Sequence, residues 1–194
     1  MTDPSLLESL NGQQYLVVRP VGDVASFYAA EQQALLRVLP DSVMHPHTGH
    51  VTLRGFAEPD RVDALRDVLT RWAADQPPLH LEVEGVDGFP PPFQILIARL
   101  RRSPSLVEAY ANLTAVLDTT DFWRIGELPL DDWVFHLSLA YASNLSEVDW
   151  TRAHQNSRRD LQTVPAETAT AVEFVWYRDG VEYSERLPFR DVGV

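Results

Sequence analysis

Apolar residues along the chain fall into short runs whose spacing switches repeatedly between the period of a strand and that of a helix. Tyr15 to Pro20 (YLVVRP) is rich in β-formers and ends at a proline, and Val24 to Leu39 then carries apolar residues at helical spacing until Pro40 stops it. His50 to Gly55 (HVTLRG) alternates like a strand. Asp60 to Ala74 reads as an amphipathic helix with Val62, Leu65, Val68, Leu69 and Trp72 on one face, closed by Pro77 and Pro78. Two strands are predicted next, Leu79 to Val86 and Phe93 to Leu100, separated by the turn-forming stretch Asp87 to Pro92.

The second half repeats this order in pattern, though not in residue identity. Ser105 to Leu117 reads as helix, Trp133 to Tyr141 as strand and Glu147 to Leu161 as helix, while Ala171 to Tyr177 and Glu182 to Leu187 form a hairpin around Asp179-Gly180. The expectation is a duplicated α+β architecture in a single domain, 1–194, with pseudo-repeats of about 15–100 and 103–189. Hairpins among the strands favour antiparallel or mixed sheets over a doubly wound one.

Composition narrows the chemistry. The chain has 194 residues, enough to bury roughly 70% of its unfolded surface without a disulfide or metal. It has no cysteine, which excludes disulfides, thiolate zinc sites, iron–sulfur clusters and a cysteine nucleophile. Met1 to Gln14 is polar and acidic, unlike a secretory signal, and no segment has the ~18–20 apolar residues of a membrane span, so a cytoplasmic protein with no membrane partner is expected. With 16 basic against 28 acidic residues the net charge is −12, which opposes binding to long double-stranded nucleic acid. A nucleic-acid substrate should be small or presented at an end.

Two tetrapeptides carry the chemistry: His50-Val51-Thr52-Leu53 and His136-Leu137-Ser138-Leu139, whose histidines are 86 positions apart. On a strand, His50 and Thr52 share one face and Val51 and Leu53 the other, and the second motif behaves alike. Each strand therefore offers one imidazole and one hydroxyl. Two imidazoles titrating near 6.5 can remove a proton from an attacking oxygen and return one to a leaving oxygen at neutral pH. Two hydroxyls can donate to the non-bridging oxygens of a phosphate in the transition state.

These paired motifs, together with the leading strand YLVVRP and the context GHVTLRGF, resemble the 2H phosphoesterase superfamily, which includes RNA 2′,3′-cyclic phosphodiesterases and the 2′-5′ RNA ligase family. The resemblance spans roughly Tyr15 to Leu187. It implies a bilobal α+β fold in which two mostly antiparallel sheets, flanked by helices, enclose a central cleft on a pseudo-two-fold axis. It also implies cofactor-free and metal-free acid–base catalysis by His50 and His136, with Thr52 and Ser138 as phosphate ligands. Here Ser138 stands for threonine, and Arg54-Gly55-Phe56 follows the first motif where RNA-directed bacterial members show phenylalanine–leucine–glycine.

Three further residues are substrate-binding candidates. Arg54 lies on the same alternation as His50 and Thr52, so a continuous strand would aim it into the cleft. Tyr141 and Tyr15 present ring faces on which a base can stack. The tryptophans Trp72, Trp123, Trp133, Trp150 and Trp176 are assigned to the core or a lobe interface. The arginines Arg99, Arg101, Arg102, Arg158 and Arg159 are read as mainly solvated. His45, His47 and His50 lie close in sequence, but Pro46 and Gly49 mark a turn and no fourth ligand stands at a recognised spacing, so no metal site is assigned. There is no G-x-S-x-G nucleophile elbow and no glycine-rich phosphate loop. The expected function is hydrolysis of a 2′,3′-cyclic or 2′-5′ phosphodiester by a monomer acting on a small nucleotide or RNA end. Ligation of RNA ends and non-catalytic nucleotide or RNA binding are the alternatives.

Overall fold

The computed structural model describes residues 8–191. In chain order the elements are β1 (Gln14–Val18), α1 (Asp23–Leu36), β2 (Val51–Phe56), α2 (Val62–Asp75), β3 (Leu79–Phe89), β4 (Ile95–Leu100), α3 (Pro104–Leu117), β5 (Arg124–Ile125), a 3₁₀ turn (Leu130–Asp132), β6 (His136–Tyr141), α4 (Glu147–Ser157), β7 (Arg159–Asp160), β8 (Ala166–Ala169), β9 (Ala171–Arg178) and β10 (Val181–Pro188). Local chemistry sets several boundaries. Ser103 accepts the Leu106 N–H ahead of Pro104 at the start of α3, and Ser146 accepts the Asp149 N–H at the start of α4. Asp179 and Gly180 take φ values of 53° and 70°, the left-handed pair that a two-residue hairpin turn requires between β9 and β10.

α4 stops at Ser157, four residues short of the helix predicted to Leu161. Arg158 turns extended there because Arg159 and Asp160 pair with Val86 and Gly85 of β3. The short strands β5, β7 and β8 carry no pattern of their own and exist through such edge pairing.

The strands join in one ten-stranded antiparallel sheet rather than two, in the order β10-β9-β1-β2-β6-β4-β3-β7, with β5 beside β2 and β8 beside β3. The two motif strands, β2 and β6, are central neighbours. They meet at one register pair, Val51 with Leu137. Beyond it each takes another partner: Gly55 and Phe56 pair with Ile125 and Arg124, and Tyr141 bridges to Met44. α2 packs on β9 and β10, α1 on β6, and α3 and α4 on β3, burying a core that includes Leu16, Val51, Leu53, Leu96, Leu137 and Phe174.

Each motif strand carries a β-bulge directly after its hydroxyl residue. Val17 and Leu16 of β1 oppose Thr52 and Arg54, leaving Leu53 as the extra residue; Ile97 and Leu96 of β4 oppose Ser138 and Ala140, leaving Leu139. A bulge reverses the alternation. Arg54 therefore does not share the face of His50 and Thr52, as an uninterrupted strand would have it, but follows its partner Leu16 into the core.

There Arg54 is fully buried. It pairs with Glu127, donates to Tyr110 Oη (3.2 Å) and Thr114 Oγ1 (2.7 Å), and lies 4.3 Å from the centre of the Tyr110 ring, with its Nε unpartnered. It is a structural cation and not a substrate ligand. Glu127→Ala leaves that guanidinium buried without its counter-ion and is expected to cost about 3 kcal/mol in urea unfolding. Arg54→Met should cost less, since it removes the buried charge while Glu127 keeps Arg124 at 3.0 Å.

Candidate active site

The Val51–Leu137 pair sets the geometry. Both residues point into the core, so His50, Thr52, His136 and Ser138 emerge on the opposite face of two adjacent strands. In an antiparallel register one step either side of that pair, His50 stands towards Ser138 and Thr52 towards His136. Each imidazole thus has the other strand's hydroxyl as its neighbour. All four side chains are half-buried, and His136 senses the charge of His50 across the seam.

Both rings are held alike. His50 Nδ1 lies 3.2 Å from the Thr48 carbonyl and His136 Nδ1 lies 2.8 Å from the Val134 carbonyl, each two residues upstream. A carbonyl only accepts, so Nδ1 carries the proton and Nε2 keeps its lone pair. Burial lowers the pKa of both imidazoles below the ordinary value, partly offset by these carbonyls. Arg19 lowers His50 further while Glu182 and Glu173 raise it, and His50 lowers His136. The Phe89 ring meets His136 edge-on at 4.8 Å.

α1 steadies the seam where the strands part. The Tyr28 hydroxyl donates to the Ser138 carbonyl (3.0 Å), and Gln32 Nε2 lies within bonding distance of Leu139 O, Pro46 O and Tyr28 Oη. Bulged backbone carbonyls that lack a strand partner are thereby satisfied. A Cβ on Gly49 would come within 2.8 Å of the Tyr28 ring, so the residue before His50 must be glycine for the tyrosine to pass.

The bulge has the reverse effect on Tyr141. Five positions beyond His136 it would face away on a regular strand, but the extra residue returns it to the His136 face, where it lies beside Ser138 and its hydroxyl bears on that of Tyr15. Tyr15 shares that face, paired in register with Gly55, its hydroxyl donating to Gln13 and its ring edge-on to Tyr177 at 6.3 Å. Val17, Ile97 and Val175 are buried but lie outside the main core, and they line this face with apolar surface.

Other residues are placed elsewhere. Arg99 is bound by Glu84, Asp87 and Asp160; Arg101 pairs with Glu82; Arg102 donates to the Trp133 and Leu130 carbonyls; Arg158 lies near Asp87, and Arg159 pairs with Glu31. These arginines are occupied by protein partners rather than merely solvated. Trp72 and Trp150 are buried, but Trp123 is 70% exposed, contrary to its core assignment. His45 and His47 stack edge to face at 6.0 Å, and among the described residues no three His, Asp or Glu side chains are grouped to hold a metal ion. No helix among them is long and apolar enough to cross a membrane. Sequence reasoning missed Arg19, Glu173 and Phe89. For Arg19 the signal was present, since it follows Tyr15 and Val17 on the alternation of β1.

The model of the 2′-5′ RNA ligase superfamily matches residues 28–181. No curated protein matches the sequence. Among solved structures, TT0787 of Thermus thermophilus is 16% identical, with 93% of this chain and 100% of that one covered and a TM-score of 0.65. Escherichia coli LigT complexed with 3′-AMP is 11% identical, with 93% and 100% covered and a TM-score of 0.59. LigT complexed with phosphate is 12% identical, with 93% and 98% covered and a TM-score of 0.57. At these identities the likeness is one of fold.

The two imidazoles offer a direct test of this geometry. In the free protein both ring Cε1–H resonances should titrate below about pH 6.5 in NMR. Added inorganic phosphate, an anion between them, should move both titrations to higher pH.

Proposed function

The chain belongs to the 2′-5′ RNA ligase superfamily, and from that premise we propose that it is a metal-independent phosphoesterase hydrolysing a 2′,3′-cyclic or 2′-5′ nucleotide phosphodiester. The observation that carries this reading is the matched arrangement of the motifs: adjacent central strands, a bulge after each hydroxyl, and each Nδ1 tied to a carbonyl two residues upstream. We read the sheet as two lobes joined at β2 and β6, with the site on a pseudo-two-fold axis between them. The sheet order is compatible with this, since β1 and β4 flank the motif strands and β9 and β3 lie outside those.

In the proposed reaction one Nε2 takes a proton from water as its oxygen attacks phosphorus. The other imidazole, protonated, gives its proton to the ribose oxygen as the P–O bond breaks, leaving a monoester. Thr52 and Ser138 donate to the non-bridging oxygens as negative charge gathers there. Tyr141, beside Ser138, and Tyr15 would flank the nucleoside, with Val17, Ile97 and Val175 as an apolar floor. Ligation would use the same groups with the 5′-hydroxyl of a second RNA end in place of water. Its oxygen bonds to the phosphorus of a 2′,3′-cyclic phosphate, its proton goes to one Nε2, and the P–O bond to the departing ribose oxygen breaks as the other imidazole protonates that oxygen. LigT, the relative crystallised with 3′-AMP and with phosphate, supports a substrate of nucleotide size.

With 2′,3′-cyclic nucleotides and 2′-5′ dinucleotides in EDTA, turnover should persist. His50→Ala or His136→Ala should each remove roughly 10²–10⁴ of the rate, and the double variant should lose far less than the product of the two. Thr52→Ala or Ser138→Ala should cost roughly 10–100-fold, about 1.5–3 kcal/mol of charge-assisted bonding. Because both imidazole pKa values are lowered, kcat/KM should peak on the acid side of neutrality and decline above about pH 6.5 as the proton donor is lost. The kcat profile, set with the anion bound, should lie to higher pH. A site that binds nucleotides without turnover at any pH would reduce the protein to a binding module.

A further inference from the structure

The two histidines are held alike by their carbonyls, but the first has an anchor that the second lacks. Arg19, just beyond β1, lies on the face of Tyr15 and Val17 and is mostly buried. Its Nε donates to Glu173 Oε2 at 2.6 Å, one terminal nitrogen donates to Thr48 Oγ1, and the other reaches Glu182 Oε1 at 3.4 Å. Tyr177 Oη donates to the second oxygen of Glu182 at 3.1 Å. Thr48 is the residue whose carbonyl receives His50 Nδ1. His136 is tied instead to Val134, whose side chain offers no polar group, beside the Phe89 ring.

We propose that Arg19 is a positioning residue for His50: by clamping Thr48 it fixes the ring's hydrogen bond and so aims Nε2, while Glu173 and Glu182 of the β9–β10 hairpin hold the guanidinium in place. This deepens the proposed phosphoesterase reading and rests on it. A planar guanidinium suits the task because it serves three acceptors at fixed angles, which an ammonium on a flexible stem does not. Arg19 and Glu182 both lie outside residues 28–181, the segment that the family pattern covers. The charged groups bearing on His50 are Arg19 from the end of β1, Glu173 from β9 and Glu182 from β10, with His136 across the seam. Arg19 thus sets both the direction and the charge balance of one imidazole and bears on the other only through it.

The experiment combines kinetics on a 2′,3′-cyclic nucleotide with NMR titration of both imidazoles in the full chain. Arg19→Gln should lower kcat roughly 10- to 100-fold through misplacement of the reacting atoms, with KM little changed. It should also move the His50 titration to higher pH, because Glu173 and Glu182 lose their cation, while that of His136 moves less and in the opposite direction, through the charge of His50 alone. Glu173→Gln should move His50 the opposite way. Arg19→Lys keeps the charge but not the fork, so its His50 titration should stay near wild type while kcat remains low. Thr48→Val, an exposed substitution that leaves the Arg19 ion pairs intact, should lower kcat in the same direction and guards against misfolding of the arginine variants. A raised KM with wild-type kcat in Arg19→Gln would make Arg19 a substrate ligand and overturn the proposal. So would an unmoved His50 titration. If wild-type protein turns over no cyclic or 2′-5′ substrate, the phosphoesterase reading fails separately, and the titrations still decide whether the anchor exists.

Discussion

The site depends on one cross-strand pair, Val51 against Leu137. Both side chains are fully buried, so the two strands are pinned at that point by apolar packing as well as by backbone pairing. Pinning there fixes which residues stand opposite each other one step away, and it turns four polar side chains to a common face. Because pairing goes no further, the strands diverge into separate partners, β5 on one side and Met44 on the other.

The bulges solve the problem that follows. Each motif needs two successive alternate residues on the open face and then a well-filled core beneath the same strand. Inserting Leu53 and Leu139 reverses the alternation just after the hydroxyls. In β2 this sends Arg54 inward, where it requires Glu127, Tyr110 and Thr114 around it. In β6 the same step sends Ala140 inward, which needs no partner, and brings Tyr141 outward beside Ser138. Equivalent backbones thus carry different side chains, and the two halves of the site differ through them.

Much of this was legible in the chain. The helices and long strands followed from apolar spacing, and the paired motifs led to the family because HVTL and HLSL on strands are improbable by chance. The bulges were not legible. HVTLRG reads as ordinary alternation, and nothing local marks Leu53 as the extra residue; a buried arginine is the only trace, and it requires the fold to be seen. Nor does periodicity report strand partners. It placed β4 at the end of a first repeat, about 15–100, whereas the sheet pairs β4 with the second motif strand and β9 with β1. The end of α4 was missed for a related reason, since β7 is formed by an edge of β3 far away in sequence.

The lacing of the sheet has a consequence for how the protein comes to be folded at all. Gln14 to Val17 have Glu173 to Trp176, far along the chain, as one of their two neighbouring strands. During synthesis β1 therefore waits with one edge open until β9 has emerged, and the contacts that complete it are strongly non-local. The β9–β10 hairpin needs only local contacts around Asp179 and Gly180. Its docking onto β1 also delivers Glu173 to Arg19, so the anchor of the first histidine is completed by a contact between segments far apart in the chain.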